Sequence, residues 1–157
     1  MPDYADPYVF VPLDILTAAQ LNSIQDNVRY FRTRIRYVEI EVVAPGTSWV
    51  TGDGKKYFHI PIDLNGMNLV EVHAFDVTAG TTGVSTIQIA NVTDSVDMLS
   101  TRITIDSGET GSNTAATPAV IDTTHDDVVT NDVIRIDIDG TSTTAPKGLV
   151  VTLGFSF

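Results

Sequence analysis

The chain of 157 residues carries nine Lys and Arg against twenty Asp and Glu, a net charge of −11, and contains no cysteine. That composition excludes disulfides, thiolate catalysis and cysteine-based zinc or iron–sulfur centres, and no stretch approaches the roughly 20 apolar residues of a membrane-spanning helix. With 43% hydrophobic and 18% charged residues, the length suits one domain with a real core plus an accessory segment.

Residues 1–16 read as an extended arm. The apolar string Tyr4, Tyr8, Val9, Phe10 and Val11 is interrupted by Pro2, Pro7 and Pro12, which disfavour helix. Such an arm has no core of its own and reads either as a frayed terminus or, because its apolar content is high for a free tail, as a peptide that docks on a neighbouring subunit. It lacks the basic start and continuous apolar centre of a signal peptide, and a secretory leader is not expected.

A helix is expected over residues 17–36. Thr17 followed three positions later by Gln20 forms a capping box, with Ala18 and Ala19 as strong helix formers in the first turn. Leu21, Ile24, Val28, Phe31 and Ile35, continuing to Val38, recur at alternating steps of three and four, the repeat of a coiled coil. This stripe is read as an oligomerisation seam, or else as a face packed on the chain's own β-domain. Arg29, Arg32, Arg34 and Arg36 lie towards the C-terminal end, where cations complement the helix dipole.

From residue 37 to 157 the chain is rich in Val, Ile and Thr and punctuated by Gly, Asn, Asp and Pro, the pattern of short strands and turns. Strands are expected near 37–43, 56–62, 68–77, 84–92, 99–106, 118–122, 133–139 and 148–157, which suits a jelly-roll-like antiparallel β-sandwich. Ile134, Ile136 and Ile138 alternate with Arg135, Asp137 and Asp139, predicting one buried and one wet face. Leu149, Val151, Leu153, Phe155 and Phe157 share a face of the last strand, so the terminal phenylalanine is expected to be packed. Residues 51–54 (Thr-Gly-Asp-Gly) and 79–83 are expected to form hairpin turns, and 106–117 an exposed loop. The excess of acid falls on this domain: sixteen carboxylates stand against Lys55, Lys56, Arg102, Arg135 and Lys147. A body so acidic repels phosphate backbones, and nucleic-acid binding is not expected.

Motifs for chemistry are absent. His59, His73 and His125 lack metal-ligand spacing, and no GxSxG elbow or phosphate-cradling glycine loop occurs. The carboxylate pairs Asp94 and Asp97, Asp126 and Asp127, and Asp137 and Asp139 read as surface charge, and Asp137 to Gly140 lacks the ligands of a calcium loop. Trp49 reads as a core or subunit-interface anchor, with a sugar-stacking platform as the alternative. No catalytic residue, cofactor or metal is expected.

The string from Asp14 to Val28, with Thr17-Ala18-Ala19-Gln20-Leu21-Asn22 and the later Asp26-Asn27 pair, resembles the N-terminal attachment segment of tailed-bacteriophage fibre and minor virion proteins. Residues 65–70, 91–100 and 147–151 also look like β-domains of phage structural proteins. The resemblance implies a multimeric, trimeric virion protein attached by its N-terminus with its β-domain outward, and it implies no catalytic residues. The reading drawn from it is a non-enzymatic fibre or tip component, assembled in the host cytoplasm, whose sandwich faces solvent or a host-surface receptor. A capsid decoration or head-fibre protein is the alternative. A carbohydrate-active sandwich would instead require a carboxylate pair in a groove near Trp49.

Overall fold

A computed structural model describes residues 17–32 and 34–157, which fall into two compact units dividing between residues 33 and 34. The expected arm, with Tyr4, Tyr8, Val9, Phe10 and Val11, lies outside the described residues. The first unit contains helix α1, Ala18–Arg32. Its capping box forms as expected: the Thr17 hydroxyl accepts the Gln20 N–H at 3.3 Å, and Gln20 Oε1 accepts the Thr17 N–H at 2.9 Å. The helix stops earlier than the expected residue 36. Arg36 and Val38 instead enter strand β1, Arg36–Ser48, paired antiparallel with the last strand. A long strand ladder competes there with helical periodicity and wins.

The second unit is the β-sandwich. After β1 come β2 (Gly52–His59), β3 (Met67–Phe75), β4 (Ser85–Asn91), β5 (Val96–Asp97), β6 (Leu99–Thr101), β7 (Ile103–Ile105), β8 (Val120–Ile121), β9 (Asp127–Val128), β10 (Val133–Gly140) and β11 (Lys147–Ser156). One sheet has the order β1-β11-β3-β9; the other has β2-β10-β4, with β5 and β7 sharing the far side of β4. The pair β6 and β8 makes a separate two-stranded ribbon. The long strands interleave between sheets as in a jelly roll, because β1, β3 and β11 lie in one and β2, β4 and β10 in the other.

This interleaving corrects two expectations. Residues 51–54 and 79–83 are not hairpin turns, because the strands they join belong to different sheets. The glycines of the first segment serve within β2 instead, where Gly52 (φ +132°) and Gly54 (φ +68°) accompany an irregularity in the pairing with β10. The expected strands 99–106 and 118–122 also shrink, the first splitting into β6 and β7.

Ile134, Ile136 and Ile138 from β10 meet Leu149, Val151, Leu153 and Phe155 from β11 in one core, all fully buried. A bulge in β3 keeps the alternation working: Glu71 faces Gly154 and Leu69 faces Phe155, leaving Val70 as the extra, exposed residue. Phe157, expected to be packed, is 63% exposed because strand pairing ends at Ser156. The wet face expected on β10 is also only partial. Asp137 is buried, because Gly54 of β2 and Arg135 close over its carboxylate.

Candidate functional site

Helix α1 presents the first candidate surface. Leu21, Ile24 and Val28, spaced to share one face, are 47%, 48% and 50% exposed. Phe31 belongs to the same helix, but its side chain lies outside the described residues. Ile35, expected in the same stripe, is not in the helix. It belongs to the second unit and lies over Gly154 of β11, where an added Cβ would stand 2.9 Å from Ile35 Cγ2 and 3.0 Å from Tyr37 Cε1. The structure therefore keeps three of the five expected seam side chains on described helix and assigns Ile35 elsewhere.

The second candidate is the outer face of the β2-β10-β4 sheet. Register places Tyr57 and Ala90 on either side of Arg135, and Gln88 beside Asp137. Arg135 donates to Asp137 Oδ2 at 2.9 Å through Nε and 2.8 Å through Nη2, and the Gly54 N–H donates to Asp137 Oδ1 at 2.6 Å. Arg102 pairs with Asp139. Two open depressions flank this row. One of about 450 Å³ is lined by Asn91, Ser95, Asp97 and Arg135; one of about 620 Å³ by Thr51, Asp53, Arg102 and Asp139. Asp137 and Asp139 are each ion-paired with an arginine, Asp137 with Arg135 and Asp139 with Arg102.

The remaining candidates resolve individually. Trp49 is 3% exposed and donates its indole N–H to the Gly148 carbonyl at 2.8 Å, so it is a core anchor with no ring face for a sugar. His73 meets Glu71 at 2.7 Å, and His125 meets Asp122 at 3.0 Å. The Thr124 hydroxyl and N–H, with His125, hold the Asp122 carboxyl down to about 2. His59 is exposed at the end of β2. Among the described residues no three His, Asp or Glu side chains gather as metal ligands.

Asp76 belongs to no motif in the sequence. It follows β3, its N–H donates to Thr110 O at 2.8 Å, and its side chain is buried with neither carboxylate oxygen hydrogen-bonded. Burial pushes its carboxyl up to about 6. Alternation in β3 carries the signal: Val72 and Ala74 face the core, and Asp76 is the next inward position. Comparison with family models, with curated proteins and with solved structures finds no match to this chain.

Proposed function

We propose that this protein is a non-enzymatic structural component of a tailed-bacteriophage particle, a trimeric fibre or tip protein. In this reading the arm at residues 1–16 docks to other virion proteins, α1 joins the protomers, and the sandwich faces a host-surface receptor. The observation that carries it is the apolar stripe of α1. Leu21, Ile24 and Val28 remain about half exposed on a helix of 15 residues, a length at which an isolated helix is marginal in water. A self-associated seam would cover them. The jelly-roll-like topology supports the reading by analogy, since capsid and receptor-binding proteins use it often, and so does the resemblance of residues 14–28 to phage attachment segments.

Sedimentation of the full chain at micromolar concentration tests the assembly. A discrete trimer is expected, and Val28→Asp is expected to dissociate it, because a charge in a desolvated seam costs several kcal/mol, about 2 or more. Gln25→Asp, on an exposed position, is expected to leave it intact. A monomeric wild type sinks the self-association. Electron microscopy of purified particles tests location: density on the tail supports a fibre or tip protein, density on the head a decoration protein, and absence from particles overturns both.

A further inference from the structure

The two flanks of the sandwich close differently. On the side of β5 to β9, Met98, Leu99, Ile103 and Val128 are all but sealed. On the opposite side the edge strands β1 and β2 each pair on one side only among the described residues. There the core-facing Val38, Val42 and Phe58 are only partly buried. Lys56 lies on the same side of β2 as Phe58 yet is exposed, because no strand covers it. Ile62, just beyond β2, is 72% exposed, next to Asp63, whose carbonyl accepts a hydrogen bond from the Arg36 guanidinium at the start of β1.

We propose that the β1–β2 flank is an interface between copies of this chain, with β1 of one protomer facing β2 of the next in a head-to-tail ring. The inference rests on the self-association proposed above and names a second surface for it. Charge chooses the occupant. Glu39 and Glu41 on β1 and Lys55 and Lys56 on β2 form no ion pairs among the described residues, whereas Arg102 and Arg135 are already paired. With Arg36 on β1 and Asp53 on β2 counted, β1 still carries two acids to one base and β2 two bases to one acid, so one flank holds a net acidic and a net basic edge. A rotational ring sets the acidic edge of one copy against the basic edge of the next, while two-fold β1-to-β1 contact would oppose carboxylates.

Continuity argues the same way. Three residues separate the end of α1 from β1, so association through α1 holds the starts of neighbouring β1 strands within a few residues' reach. A second copy also covers the partly buried valines and Phe58. The competing reading is that Lys55 and Lys56 only guard an edge strand against pairing.

The test uses the full chain in three variants: Glu39→Lys with Glu41→Lys, Lys55→Glu with Lys56→Glu, and all four changes together. Thermal unfolding checks that each is folded, as expected for three exposed sites and the half-buried Lys55. Each double reversal is expected to weaken association about tenfold or more in sedimentation equilibrium, and the fourfold variant to recover most of it, as complementary charges are restored. Double variants that assemble like wild type overturn the flank interface, and so does a fourfold variant no tighter than the doubles. If Val28→Asp dissociates the assembly while the flank variants do not, the helical seam stands alone. If the flank variants dissociate it and Val28→Asp does not, the flank stands and the helical seam falls.

Discussion

Trp49 and Gly148 are joined across 99 positions of sequence by an indole N–H to carbonyl hydrogen bond of 2.8 Å. The bond ties the segment after β1 to the start of β11 and leaves the only tryptophan almost wholly enclosed. Trp49→Ala is expected to cost about 3–5 kcal/mol, the usual range for removing a buried aromatic, while Trp49→Phe keeps most of the packing and loses about 1 kcal/mol with the bond. Denaturant unfolding checks both. An alanine variant within 1 kcal/mol of wild type, on the same scale of buried aromatics, would show that the ring does not anchor the core.

Gly148 itself separates steric from conformational demand. Its φ is +66°, and an added Cβ would stand 2.7 Å from Val77 Cγ2 and 3.3 Å from Pro45 Cα. Gly66 has a similar φ, +72°, with nothing within 4 Å. Gly66→Ala should therefore cost about 1–2 kcal/mol for the left-handed backbone alone, and Gly148→Ala a further 1–3 kcal/mol for overpacking. Equal midpoints in urea for the two variants would refute the crowding at Gly148.

Asp76 makes stability depend on pH in a stated direction. Its folded carboxyl titrates at about 6, above the ordinary 3.8, so its contribution is fully present below about 4 and is lost as pH rises through 6. Asp76→Asn removes the buried charge. The variant is expected to match wild type near pH 4 and to exceed it at pH 8 by roughly 1–3 kcal/mol, the desolvation cost of an unsatisfied buried group. Taking the difference between variant and wild type at each pH cancels the other titrating groups. A difference that stays constant from pH 4 to 8 would place the carboxylate in contact with water.

The capping box should be felt in α1 and not in the sandwich. Thr17→Ala removes the hydroxyl that accepts the Gln20 N–H and is expected to cost the helix about 1 kcal/mol. Circular dichroism should lose helical signal, while the fluorescence of Trp49, which belongs to the other unit, keeps its unfolding midpoint. A lowered Trp49 midpoint would show that the two units unfold together.

Local chemistry was enough to place the start of α1 and the inward faces of β10 and β11. Capping by Thr17 and Gln20 involves only neighbours in sequence, and the alternation of Ile134, Ile136 and Ile138 follows from the geometry of any strand. Where α1 ends was decided elsewhere, because Ile35 fits a helical stripe but Arg36–Glu41 pairs residue by residue with Phe155–Val150. The same holds for the surface. Glu39, Glu41, Lys55 and Lys56 are visible in the sequence, yet only the order of strands puts β1 and β2 at the edges of their sheets on one flank. Asp76 is one of twenty acids in the sequence, and only the packing of the sandwich takes its carboxylate out of water. Caps and alternation are set by contacts a few residues apart, whereas edges, helix ends and buried charges depend on partners whose positions exist only once the long-range ladders have formed.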